Sequence, residues 1–170
     1  MENVESGEIE MEQHENIQQS EEKASKETPP AGGVPVFGYE LLKNILLPEL
    51  LGKEERNILY WAGRSLARKF PLSSTEELVH FFAEAGWGSL IIAEMNKNEM
   101  ILELSSPLID KRFELQENPT FGLEAGFIAE QVQNQRKCIS ETYETVKRKN
   151  KIQFTVQWDR KDETSTEKLA

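Results

Sequence analysis

The spacing of apolar residues alternates between a helical and a two-residue period along this chain. Residues 37–51 are apolar at 41, 42, 45, 46, 47, 50 and 51. That spacing is helical, with a stripe too wide to leave half of the helix solvated. Pro48 predicts a kink or an end, because it pushes Leu47 out of the helical region and brings no N–H. Gly52 suits a C-terminal stop. A second helix is predicted over 53–70, with Glu54 and Glu55 at its positive end and Arg68 and Lys69 at its negative end. Its apolar face is Leu59, Ala62, Leu66 and Phe70, with Ile58 and Trp61 beside it. Pro71 breaks the chain. Ser73/Ser74 followed by Glu76/Glu77 forms two overlapping capping boxes, and Leu78, Phe81, Phe82 and Ala85 make the i, i+3, i+4, i+7 stripe of a third helix.

From Gly88 the period becomes two. An apolar run over 88–95, a turn at Asn96-Lys97-Asn98 and alternation over 99–105 predict a hairpin. The stretch 107–115 is expected as an edge strand, since its proline removes a ladder donor. Asn118-Pro119 reads as N-cap and first residue of a helix running to about Arg136 with the stripe Phe121, Ala125, Ile128 and Val132. A second hairpin pairs 138–146 with 151–158, where Ile152, Phe154, Val156 and Trp158 alternate with Gln153, Thr155 and Gln157. The expected fold is α+β, with four or five helices packed against an antiparallel sheet of four to five strands made of two hairpins.

Charge separates the flanks from this domain. Residues 1–33 hold nine glutamates against two lysines, most of the chain's net charge of −10, and close on Thr-Pro-Pro-Ala-Gly-Gly. So polar a stretch cannot offset the entropy of ordering it. It is expected to be a disordered acidic tail, followed by a domain over 34–158 and a disordered C-terminal tail over 159–170. The acidic balance argues against a nucleic-acid surface. No signal-peptide pattern opens the chain and no apolar run approaches membrane-spanning length, so no membrane insertion is expected. A single cysteine rules out an intramolecular disulfide, and the location expected is the cytoplasm.

Candidate chemistry is sparse. His80 shares a helical face with Glu76 and Glu84, but nothing supplies further ligands, so neither metal nor cofactor is expected. Cys138 stands at the start of a strand without a histidine partner, in the manner of a small buried hydrophobe. Neither a phosphate-cradling glycine loop nor a nucleophile elbow occurs, so no catalytic residues are assigned and an enzyme is not expected. The basic stretch 147–151 reads as a charged hairpin tip. Gly122 and Gly126, one helical turn apart, leave space either for close backbone packing or for a ligand, since each costs about 1 kcal/mol relative to alanine.

The motif order resembles the YslB family of Bacillus and related bacteria. The similarity runs through Val36-Phe-Gly-Tyr-Glu and Leu47-Pro-Glu-Leu-Leu-Gly52, then Ile58-Leu-Tyr-Trp-Ala-Gly63, Ala85-Gly-Trp-Gly88, Leu104-Ser-Ser-Pro107 and Phe121-Gly-Leu-Glu-Ala-Gly126. It covers about 34–158. More distantly, the order is similar to small-molecule-binding domains of the 4-vinyl reductase type, a fold shared with Bet-three-type trafficking subunits and haem-based nitric oxide sensors. That resemblance implies helices on an antiparallel sheet, often dimeric, sometimes with an apolar cavity. Vinyl-reductase-type domains commonly carry two cysteines in the final hairpin, where this chain has Glu144 and Ile152.

Two functional readings follow. In the first, a non-catalytic binding module holds a small apolar ligand between helices and sheet, using Trp61, Phe82, Trp87, Phe121, Gly122, Gly126 and Phe127. In the second, the chain is a homodimeric protein-interaction adaptor without a small-molecule ligand, its interface built on Leu42, Ile45, Leu46 and Leu50.

Overall fold

The computed structural model describes residues 35–148 and 151–163, in two compact units, 1–40 and 41–170. The tail 1–33, the turn residues Lys149 and Asn150 and the stretch after 163 lie outside the described residues. Of the first unit, Pro35 and the helical segment Val36–Glu40 are described. The second unit has an α+β fold, with four principal helices and an open four-stranded antiparallel sheet. No described helix is long and apolar enough to cross a membrane.

The second unit begins with a π-helical stretch, Leu41–Leu46, that passes into an α-helical turn, Leu47–Leu51. Pro48 neither ends nor interrupts this segment but sits in the first turn of its α-helical part. Lacking an N–H, it offers nothing to the Asn44 carbonyl four residues back. The side chain of Gln116 donates to that oxygen instead, at 2.6 Å. Gly52, at φ 56°, closes the segment in a backbone region that favours glycine.

Helix α1, Glu55–Lys69, follows with Glu55 in its first turn and Arg68 and Lys69 in its last. Its buried face is Leu59, Gly63, Arg64 and Ala67. This corrects the expected stripe, since Ala62 and Phe70 are exposed. The neighbour decides the face: α1 lies on a helix that presents glycines and a carboxylate, so a glycine and an arginine turn inward. Helix α2, Thr75–Glu84, starts at the expected cap. Ser74 Oγ accepts from the Glu77 N–H at 3.2 Å, and the Glu77 carboxylate accepts from the Ser73 N–H at 2.7 Å.

The first hairpin joins β1, Ser89–Met95, to β2, Glu99–Ser105, with a register shift between Ile92 and Glu94. The stretch expected as an edge strand is instead helix α3, Pro107–Leu115. Its proline has the other positional meaning available to it, that of a first helical residue whose missing N–H is not needed. Ser106 is the N-cap, its Oγ accepting from the Leu108 N–H at 3.2 Å. Helix α4, Gly122–Arg136, begins later than Asn118-Pro119 implies. The Phe121 N–H donates to Glu144 Oε2 at 3.0 Å and the Gly122 N–H to Thr120 Oγ1 at 3.1 Å, so the start is fixed from the sheet.

The second hairpin joins β3, Cys138–Arg148, to β4, Lys151–Glu163, and β4 runs beyond the expected end at Trp158. Strand order is β1-β2-β4-β3, every neighbour antiparallel. Met100, Leu102 and Leu104 of β2 and Ile152, Phe154, Val156 and Trp158 of β4 turn to the helices and are buried. Helix α4 packs on β3 and β4 and carries α1 on its other side. That position explains its composition, since every residue from Glu124 to Val132 is buried.

Candidate functional site

The residues proposed for ligand binding fall into three places. Phe82, Trp87, Phe121 and Phe127 are in the core. The rings of Phe82, Trp87 and Phe127 make edge-to-face contacts at 4.9–6.3 Å, and Phe81 stacks on Phe127 at 4.5 Å. Gly122 and Gly126 lie beneath α1. A Cβ on Gly126 would fall 2.7 Å from the Tyr60 carbonyl carbon and nearer still to its oxygen; one on Gly122 would lie 2.6 Å from Arg56 O. Gly63 of α1 faces them, 2.8 Å from Phe127 N by the same construction. The room these glycines open is therefore filled by the backbone of α1. Trp61 stands apart, 64 % exposed on α1.

Trp61 and Gly122 do border one cleft, an open groove of about 350 Å³ between α1 and β3. Arg56, Tyr60 and Arg64, at i, i+4 and i+8, line its α1 wall, with Asn57 and Trp61 on the rim; Glu141 to Glu144 line the β3 side. Each charged group there is held by a partner. Arg56 Nε donates to Glu144 Oε1 at 3.1 Å, and that carboxylate also accepts from Thr120 Oγ1. Arg64 donates to Glu130 at 2.9 Å, to the Ser140 carbonyl at 3.2 Å and to Gln133 at 2.7 Å. Burial pushes the Glu130 carboxyl upward, but hydrogen bonds from Arg68 and Arg64 outweigh it and hold it below the ordinary carboxylate range. The Tyr143 hydroxyl donates to Glu141 at 2.6 Å, which raises its pKa and keeps the phenol protonated.

The second cluster of predicted residues is coherent. Leu42, Ile45, Leu46 and Leu50, together with Leu41, are all exposed, Leu42 by 60 % and Leu50 by 70 %. The side of this segment that turns inward is polar. Asn44 is 3 % exposed, and Lys43 reaches Glu124 of α4 at 2.7 Å. Arg112 of α3 reaches the same oxygen at 3.3 Å and donates to Thr120 O at 2.6 Å. Burial alone would raise the Glu124 pKa, yet the two cations overcome it and the net shift is downward.

Elsewhere, His80 is exposed and pairs with Glu84 at 3.5 Å. Cys138 is buried with its Sγ 3.4 Å from Arg136 O. Among the described residues no three His, Cys, Asp or Glu side chains are grouped to hold a metal ion. Glu144, Glu124, Glu130 and Arg64 organise both regions and were not singled out from the sequence as site residues. For Glu124 and Glu130 the signal was an apolar, glycine-rich helix over 122–132 that nevertheless keeps two glutamates.

The comparisons with known proteins agree with this architecture. A family described as a protein of unknown function, DUF2507, matches residues 36–157. An "Uncharacterized protein YslB" of Bacillus subtilis (strain 168) is 50 % identical over 127 residues, which cover 74 % of this chain and 86 % of the relative. A crystal structure of a vinyl-4-reductase family protein from Methanocaldococcus jannaschii shares the fold with a TM-score of 0.57 at 22 % identity, over 79 % of this chain and 85 % of that one. The chain belongs to the DUF2507 family, with YslB as its relative.

Proposed function

We propose that this protein is a non-catalytic interaction module that pairs with a second copy of itself through the leucine face of 41–50. One observation carries the reading: the segment buries Asn44 and turns Lys43 onto Glu124, while Leu41, Leu42, Ile45, Leu46 and Leu50 face outward. Monomeric surfaces rarely keep so many contiguous large apolar side chains wet. Fully burying one such side chain contributes about 1.5–3 kcal/mol. Covering five that are about half exposed therefore contributes about 4–8 kcal/mol per copy. Two copies reach about 8–15 kcal/mol, set against an association cost of about 4–15 kcal/mol. A two-fold partner supplies a matching face without another gene product.

The alternative of an apolar ligand inside the domain has less to support it, because the rings meant to line it pack on one another. Sedimentation equilibrium tests the proposal: the full chain sediments as a dimer at tens of micromolar, and Leu50→Glu weakens association at least tenfold, about 1.4 kcal/mol. A wild-type monomer throughout that range refutes it.

A further inference from the structure

The groove between α1 and β3 is separate from the leucine face and has its own chemistry. We infer that it binds a short extended peptide segment in the polyproline II conformation, one proline-rich stretch of a partner chain.

Three features of the groove select that ligand. The first is the state of the sheet edge. β3 is an edge strand, but at the groove its outward groups are already engaged, with the Thr142 N–H donating to Tyr60 Oη at 3.3 Å and the Ser140 carbonyl accepting from Arg64. An added β-strand needs those groups. A polyproline II segment does not, because it binds through ring stacking and scattered donors to its solvated carbonyls.

The second feature is the lips. Trp61 on α1 and Tyr143 on β3 are 64 % and 53 % exposed, and Tyr60 stands edge-on to Trp61 at 6.0 Å between centroids. Exposed rings on both sides of an open groove are the surfaces on which proline rings stack.

The third is the balance of charge and donors. Two arginines and two glutamates line the groove, so it favours a neutral, amide-rich ligand over an anion. Arg56 uses two nitrogens on Glu144, which leaves others of its five N–H groups for peptide carbonyls. The dimensions agree as well. Arg56 to Arg64 spans about 12 Å along α1 at 1.5 Å per residue, the length of about four residues of polyproline II at 3.1 Å each.

Fluorescence anisotropy of a labelled oligoproline peptide of about ten residues, titrated with the full-length protein, tests this against a glycine–serine peptide of equal length. The oligoproline binds at least tenfold more tightly. Trp61→Ala and Tyr143→Ala each lose at least tenfold, while the near-ultraviolet dichroism from buried Trp87 and Trp158 shows each variant folded. Leu50→Glu leaves peptide binding unchanged, so failure of the dimer and failure of the groove are distinguishable. Equal affinity for the two peptides, no oligoproline binding, or wild-type affinity in both ring variants overturns the inference.

Discussion

Replacing Gly126 by alanine sets two effects of opposite sign against each other, and the structure decides which wins. Alanine in place of glycine inside a helix gains about 1 kcal/mol of propensity. The new methyl, however, would meet the backbone of Tyr60 at 2.7 Å from its carbonyl carbon and closer still to the oxygen. Backbone in the middle of a helix cannot swing aside as a side-chain tip can, so α1 and α4 must separate. The crossing they share also rests on Gly63 and Gly122, and it carries the Arg64–Glu130 pair at 2.9 Å. Overpacking a dense contact costs about 1–3 kcal/mol, occasionally more. With backbone on the receiving side the upper end applies, and the net loss is about 2 kcal/mol after the propensity gain. For a domain of this size that lowers the thermal midpoint by about 3–12 °C. Gly38 supplies the control: a Cβ there has nothing within 4 Å, so Gly38→Ala leaves the midpoint unchanged or raises it. Differential scanning calorimetry of the two variants beside wild type reads the comparison directly. A Gly126→Ala midpoint at or above wild type would show that α1 and α4 are not in backbone contact, and the account of the glycines would fall with it.

Other consequences follow from the caps and the buried carboxylates. Ser74→Ala removes the acceptor of the Glu77 N–H and lowers stability by about 1 kcal/mol in urea melts; no change would mean the α2 cap is idle. The Glu124 and Glu130 pKa values are both held below the ordinary 4.5. Their contribution is therefore complete above the unfolded-state value and is lost as pH falls through the native values, so urea midpoints drop between about pH 5 and pH 3. Glu130→Gln flattens that slope, and a slope identical to wild type would refute the assignment. Deleting residues 1–33 leaves the thermal midpoint within a few degrees, since that stretch has no apolar set to contribute.

The features legible in the sequence were those set by near neighbours. Ser74 and Glu77 sit three apart and cap as spaced. The alternation over 152–158 places Ile152, Phe154, Val156 and Trp158 on the buried face. What was not legible depends on partners far along the chain. Nothing in 118–123 announces that α4 starts at Gly122, because the groups that fix it include Glu144, 23 residues from Phe121. Ser106-Pro107 carries two meanings, edge strand or N-cap and first helical residue, and local sequence does not choose between them. The face of α1 was misplaced because an arginine and a glycine are poor signals of burial, yet Arg64 is buried against Glu130, 66 residues away. Of the proposed ligand residues, Phe82, Trp87, Phe121 and Phe127 lie in the core.

The segment 41–51 shows why its leucines could be recognised as surplus but not oriented. Its width of apolar positions says only that one helix face cannot bury them all. Orientation is set by Lys43 and Asn44, which meet Glu124 and Gln116 more than 70 residues later. Such buried ion pairs add little net stability, because the Coulombic gain roughly offsets the desolvation of both charges. What they do supply is direction: turning the leucines inward would strip Glu124 of one of its two cations and leave a buried carboxylate undercompensated. The polar cluster thus holds the leucine face outward against its own hydrophobic tendency. An arrangement of that kind costs free energy in the isolated subunit and repays it only when another surface covers the leucines, which is the physical case for a partner at this face.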